Sequence, residues 1–118
     1  MGTPSHTPAR PAALLEAVGG DRAMFQKLSE IFFRDCGLKF AALKQAFEAG
    51  DREAIGFHSH AMKSTVGPMA ATRLLGMLQA LEHECEHPGP PCEAARLAAI
   101  KAELHAVADA VRHFAGQL

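Results

Sequence analysis

The sequence predicts an all-α protein, specifically an antiparallel up-down four-helix bundle preceded by a short extra N-terminal helix. From residue 12 onward, apolar residues recur with the 3.6-residue period of a helix, and no segment alternates like a strand. Pairs and runs of Gly and Pro divide this stretch into helical segments. Because the connections between the segments are short, consecutive helices are expected to run antiparallel.

The bounds of each segment follow from the Gly and Pro residues that interrupt helices and from the spacing of its apolar residues. Residues 1–11 are rich in Pro and predict a flexible N-terminal tail, which leaves 12–118 for the bundle domain. Asp21 and Asp51 each follow glycine and are expected to cap the helices that they begin. The predicted helices cover 12–18, 21–36, 38–49, 51–66, 70–86 and 92–117, of which the second and third form one helix if Gly37 only kinks it. The expected core residues of the first long helix are Met24 or Phe25, Leu28, Ile31 and Phe32.

The composition excludes several classes of protein. The chain has 118 residues, a formal charge of -1 and no Trp or Tyr, which argues against a nucleic-acid partner. No apolar run reaches the ~18 residues of a membrane span, and residues 1–11 lack the layout of a secretory signal. Three cysteines without a CxxC pair suit a reducing compartment. We therefore expect a cytoplasmic monomer with no membrane partner.

The helix predicted over 51–66 carries two histidines with different surroundings. At about 100° per residue, His58 falls within the apolar arc, whereas His60 lies roughly 160° from His58 and is expected to face solvent. The expected core arc consists of Phe57, Ala61, Ala54, Thr65, His58, Met62, Ile55 and Val66.

The neighbours of His60 on this helix are unusually small. Gly56 lies one turn before it, Ser64 one turn after it, and Gly67 two turns after it, while Lys63 lies three residues on. A Gly inside a helix costs about 1 kcal/mol relative to Ala, so glycines at these positions point to a function. Small residues leave no tall side chains around His60, so another protein can approach the imidazole. An exposed nucleophile beside a cation suits phosphoryl transfer, although an exposed helical histidine is more commonly just a solvated residue.

Residues 60–71 resemble the phosphoacceptor motif of histidine-containing phosphotransfer (HPt) domains. That motif reads His, any, apolar, Lys, Gly, three small residues, any, apolar, Gly, small, and a helix with several Leu and a closing Leu-Glu follows it. The closing pair is matched here by Leu81 and Glu82. Ser64 and Ala70 stand where the family normally has Gly, and Pro68 is also a departure.

The resemblance implies a phosphorelay intermediate that shuttles a phosphoryl group between aspartates of receiver domains. His60 is then the phosphoacceptor, attacking through Nε2, and Lys63 is its electrostatic partner. The implied partners are response-regulator receiver domains or a hybrid sensor histidine kinase. The chain itself needs no cofactor, because Mg²⁺ is expected on the receiver, and it has no autonomous enzymatic activity. The alternative from another class is a helical adaptor that regulates a receiver or kinase by binding without phosphorylation.

Docking is expected to use the small residues around His60, namely Gly56, Ser64 and Gly67. Phe33 is added to this surface on the expectation that the adjacent Phe32 is the core residue, because the two lie about 100° apart on their helix.

A second cluster of polar residues lies near the end of the helix predicted over 70–86. His83 and His87 share a face, but Cys85 lies roughly 160° from both, so these residues and Cys92 do not converge on a helix. We therefore expect no metal site.

Overall fold

The computed structural model describes residues 6–118, which form five α-helices and one short 3-10 helix, with no strand among them. The helices are α1 (Pro11–Ala17), α2 (Arg22–Ala49), α3 (Arg52–Val66), α4 (Thr72–Cys85) and α5 (Ala94–Gly116), and the 3-10 helix is Gly67–Met69. The α2 helix continues through Gly37, so the two segments predicted around this glycine are one helix.

The predicted caps fix the junction between α2 and α3. The Asp51 carboxylate accepts a hydrogen bond from the Ala54 N–H at 3.1 Å, and Asp21 accepts one from the Met24 N–H at 3.0 Å at the start of α2. Gly50 ends α2 with a φ of 64°, a left-handed conformation that glycine adopts without steric cost. The junction therefore needs only two residues, and α3 turns back along α2.

The four long helices form the predicted bundle. The α3 helix packs between α2 and α4, α5 packs against α2 and α4, and α1 lies against the 3-10 helix and α5. One contiguous core runs through all of them and is closed at one end by the edge-to-face contact of Phe25 with Phe114, whose ring centroids lie 5.4 Å apart. The all-α prediction is confirmed.

The buried face of α3 differs from the predicted arc. Ile55, Ser59, Met62 and Val66 are buried, whereas Phe57, expected in the core, is 69% exposed. Ser59 is tolerated inside because its hydroxyl donates a hydrogen bond to the Ile55 carbonyl at 2.7 Å. The true core face is therefore rotated by roughly 80° from the centre of the arc that apolar residues alone define.

The N-terminal segment contacts the bundle from residue 6 onward. Ala9 is buried, the Arg10 N–H donates to the Met69 carbonyl at 2.7 Å, and His6 Nε2 lies 2.6 Å from a carboxylate oxygen of Glu103. The part of the predicted flexible tail that lies in 6–11 thus packs on the domain, and 1–5 fall outside the described residues. In the described part of the chain, no helix is both long and apolar enough to cross a membrane.

Candidate functional site

His60 stands on the outer surface of α3, with 70% of its side chain exposed. Its Nδ1 lies 2.7 Å from Oε2 of Glu82 on α4. An ionised carboxylate only accepts hydrogen bonds, so Nδ1 carries the proton and donates it. Nε2 then keeps its lone pair and makes no hydrogen bond with any described residue. In the neutral ring, the contact with Glu82 thus selects the tautomer in which the outward nitrogen, Nε2, has a free lone pair.

Glu82 also binds the second residue of the site. Lys63 Nζ lies 2.6 Å from Oε1 of Glu82, so one carboxylate holds both the imidazole and the ammonium. The hydrogen bond from Lys63 is the main cause that lowers the pKa of Glu82, and the bond from His60 adds to it against the opposing effect of desolvation. Glu82 is therefore ionised at neutral pH, as the tautomer of His60 requires.

Gly56 has a structural role at this site. A Cβ on Gly56 would lie 3.0 Å from the Cβ of Cys85 on α4, which is tighter than normal packing allows. The absent side chain lets α3 and α4 approach, and this approach brings Glu82 within reach of His60. Gly56 and His60 also line one shallow cavity of about 320 Å³ between the two helices. The surface of small residues predicted around His60 is therefore partly a helix-packing contact.

Ser64 and Gly67 keep the surface beyond His60 low. Ser64 is exposed, and its hydroxyl donates to the Ala61 carbonyl at 2.9 Å instead of projecting outward. Gly67 is half-buried at the end of α3, where a Cβ would meet nothing within 4 Å. Both residues leave open space on the helix surface beside the imidazole.

Phe33 lies elsewhere. It is half-buried on the α5 side of α2, with the guanidinium carbon of Arg112 4.6 Å from its ring centre and the edge-to-face ring of Phe32 5.6 Å away. Phe32 is the core residue, as expected, but its neighbour turns toward α5 and not toward α3. The structure therefore packs Phe33 against α5, and Phe33 does not line the cavity that contains His60.

A surface groove of about 380 Å³ runs between α2 and α3 instead. Ile31 of α2 and Ser64 of α3 both line it. Lys39 bridges its floor, since its ammonium donates to the Thr65 hydroxyl at 2.6 Å. Ile31, which the sequence places in the core, therefore lines a surface groove together with Ser64.

Large apolar side chains are exposed at four positions of the described chain, which we call the apolar patch. Three are spaced seven residues apart on α2 and so form one stripe on the side of Ile31, and the fourth precedes His60 by one turn on α3. These residues are Met24, Ile31, Leu38 and Phe57. Exposed large apolar side chains commonly mark a protein interface.

Ala70 is one of the positions where this chain departs from the HPt motif. It ends the 3-10 helix with a φ of 52°, in the left-handed region that disfavours residues with a Cβ by roughly 1–2 kcal/mol. The resemblance expects glycine at this position, and the backbone gives the reason. The turn into α4 is therefore formed here at a local conformational cost.

The residues considered for a metal remain apart from the site. The rings of His83 and His87 lie 5.4 Å apart, while Cys85 turns to Cys92. Within 6–118, no three His, Cys, Asp or Glu side chains are placed to hold a metal ion.

The contact of Glu82 with both site residues was not predicted from the sequence. The sequence named Glu82 only as part of the closing Leu-Glu of the HPt resemblance. A contact between residues that are 22 positions apart leaves no local pattern in the sequence. The turn near Met69 was the available signal, since it makes α4 run antiparallel to α3 and return past His60, but it does not select Glu82 among the residues of α4.

Comparison with known proteins identifies the family of the chain. The family model for the Hpt domain matches residues 27–110, a span that includes the His60 site, most of α2 and most of α5. No match to a curated protein or to a solved structure was found. The matched span covers more than half of the chain, and the chain therefore belongs to the Hpt domain family, whose members carry phosphoryl groups on histidine in two-component phosphorelays.

Proposed function

We propose that this protein is a phosphorelay intermediate that accepts a phosphoryl group on Nε2 of His60 from a receiver-domain aspartate and passes it to another receiver. The observation that carries the proposal is the exposed imidazole whose Nδ1 is bound to Glu82 at 2.7 Å. An accessible ring with a fixed tautomer meets the two needs of a carrier, which are reach and a free lone pair.

The chemistry follows from this arrangement. The Nε2 lone pair attacks the phosphorus of an aspartyl phosphate in line, the bond from phosphorus to the aspartyl oxygen breaks, and the carboxylate leaves with that electron pair. The ring gains positive charge as the N–P bond forms, and the carboxylate of Glu82 at Nδ1 stabilises that charge. The reverse reaction on a second receiver returns the phosphoryl group to an aspartate.

Lys63 supplies the mobile charge of the site. In the resting protein its ammonium is paired with Glu82, so the two charges cancel. The three rotatable donors of a lysine on a flexible stem allow it to turn from the carboxylate to a phosphoryl oxygen. We propose that Lys63 makes this exchange when the phosphoryl group arrives, while Glu82 keeps its bond to His60.

The docking surface follows from the apolar patch. Phe57 is exposed on α3 one turn before His60, and Ile31 of α2 lines the groove that Ser64 also lines. A receiver that packs on Phe57 and on the stripe of α2 would place its aspartate over His60. In this proposal Phe57 and Ile31 take the docking role that the sequence suggested for Phe33.

The protein acts in this proposal as a carrier and not as an autonomous catalyst. Charge neutralisation in the transition state is assigned to Mg²⁺ on the receiver, so His60 needs no metal on its own chain. Its partners are cytoplasmic receiver domains or a hybrid kinase.

A transfer assay tests the proposal. A receiver domain carrying labelled aspartyl phosphate is mixed with the wild-type protein, with His60→Gln and with His58→Gln. We expect stoichiometric, acid-labile and base-stable label on the wild type and on His58→Gln, and none on His60→Gln. His58 is the matched control because it lies on the same helix, half-buried, with its ring 5.2 Å from that of Phe57.

Two outcomes would contradict the proposal. Label on His60→Gln equal to that on the wild type would move the acceptor to another residue. A receiver that binds the wild-type protein with no transfer in either direction would support the alternative of an adaptor that regulates by binding alone.

A further inference from the structure

Two thiols face each other at the end of α4. The Sγ atoms of Cys85, the last residue of α4, and of Cys92, in the connection to α5, lie 3.8 Å apart. Both cysteines are half-buried and therefore reachable from solvent, whereas Cys36, the remaining cysteine, is buried in the core. The connection over 86–93 has no regular secondary structure beyond a turn, so Cys92 is not held by a helical backbone.

The surroundings make the two thiols unequal. Nη1 of Arg52 lies 3.9 Å from Sγ of Cys92. A carboxylate oxygen of Glu84 lies 4.0 Å from the same sulfur, but Glu84 is itself paired with Arg96. Burial and the contact with Cys92 raise the pKa of Cys85 to about 11. Cys85 therefore forms little thiolate at neutral pH, and the first attack is assigned to Cys92.

Arg52 also holds the connection in place around Cys92. Its guanidinium and Nε donate to the carbonyl oxygens of Glu84, His87 and Pro90 at 2.5, 2.8 and 2.7 Å. These bonds hold the residues that precede Cys92 beside the end of α4. The proximity of the two sulfurs therefore has a structural cause in the interaction of α3 with the connection.

From this geometry we infer that Cys85 and Cys92 form a thiol pair that low-molecular-weight disulfides oxidise to an intramolecular disulfide. The Cys92 thiolate attacks one sulfur of the small disulfide, which breaks the S–S bond and releases one small thiol. Cys85 then attacks Sγ of Cys92 and releases the second small thiol. The pair loses two electrons and two protons, and the small disulfide gains both. The inference does not depend on phosphotransfer at His60.

Mass spectrometry of the oxidised full-length chain tests the inference. The reduced protein is incubated with hydroxyethyl disulfide, alkylated and digested with trypsin, which leaves Cys85 and Cys92 together in residues 74–96 and Cys36 alone in residues 35–39. We expect the first peptide to lose two hydrogen atoms and to carry no alkyl group. The Cys36 peptide stays fully alkylated once the protein is unfolded for labelling.

Variants resolve the order of the two steps. Cys85→Ser should stop at a stable mixed disulfide on Cys92, whereas Cys92→Ser should react about tenfold more slowly because fewer thiolates form at Cys85. Cys36→Ala is the matched control and should form the disulfide like the wild type. Mixed disulfides that accumulate on both cysteines without closure, or disulfides between two chains, would overturn the inference.

Discussion

The two faces of α3 belong to one helix but are under different constraints. The inner face, which includes Ile55 and Met62, is buried against α2 and α4, so its residues are set by packing. The outer face carries Phe57 and His60, which are largely exposed and contribute little to the core. The candidate site therefore lies where substitutions change contact with a partner more than they change stability.

The largest expected effect separates these two faces. Met62→Ala removes a fully buried side chain and should lower the free energy of unfolding by about 2–4 kcal/mol. The matched outer-face variant, Phe57→Ala, should change it by only about 0.5 kcal/mol or less while weakening transfer at low receiver concentration. Urea denaturation measures the first quantity and a transfer titration the second. Equal destabilisation by both variants would remove the distinction between the faces.

The next effect concerns the hydrogen bond between His60 on the outer face and Glu82 on α4. Glu82→Ala removes the acceptor for Nδ1 of His60 and should slow phosphoryl transfer about tenfold, the lower end of what removal of a partner that orients a histidine costs. Glu82→Gln keeps an acceptor oxygen at the same place but loses the negative charge, so it should retain more of the rate than Glu82→Ala and less than the wild type. Single-turnover transfer kinetics give both values. An equal loss in the two variants would show that orientation of the ring is not the role of Glu82.

A smaller effect is expected at the margin between the two faces. Gly56→Ala places a Cβ 3.0 Å from that of Cys85 and should destabilise the protein by about 1 kcal/mol, despite the better helix propensity of Ala. Gly37→Ala is the matched control, because a Cβ there meets nothing within 4 Å, and it should stabilise by up to about 1 kcal/mol. Thermal unfolding compares them. Stabilisation by both variants would mean that α3 and α4 are not in close contact at Gly56.

The smallest effect lies just beyond the end of α3. Ala70→Gly should raise the free energy of unfolding by about 0.5–1 kcal/mol, since glycine adopts the left-handed conformation without the Cβ clash. Ala71→Gly, the neighbouring control, has a φ of -82° and a buried methyl group, and it should destabilise instead. Chemical denaturation of both variants measures the sign of each change in the free energy of unfolding. Loss of stability in Ala70→Gly would contradict the strain assigned to this turn.

Most of the fold was predictable because it rests on local rules. Gly50 and Asp51 define the end of one helix and the start of the next from their own chemistry, and the continuous periodicity of α2 and α5 needs no tertiary information. The exposure of His60 followed from the same periodicity. The sequence left open whether Gly37 divides α2, because the helical environment of a single glycine depends on the packing around it.

The parts that were not predictable share a physical cause. Phe57 and Ile31 are apolar, and a helical wheel assigns apolar residues to the core whether they face it or face a partner. Ser59 is polar and is buried all the same, because the backbone of its own helix satisfies its hydroxyl. The side of α2 that carries Phe33 is fixed by its contact with Arg112, which lies 79 residues further along the chain.

The most direct test of the central claim, that Glu82 fixes His60 with Nε2 as the nucleophile, is nitrogen-15 NMR of the histidine rings before and after phosphorylation by a receiver. At mildly alkaline pH, His60 is expected to show a proton on Nδ1 and a bare Nε2, and after transfer to show phosphorus bonded to Nε2 with Nδ1 still protonated. Phosphorus on Nδ1, or unchanged His60 signals in a protein that has been phosphorylated elsewhere, would contradict the account.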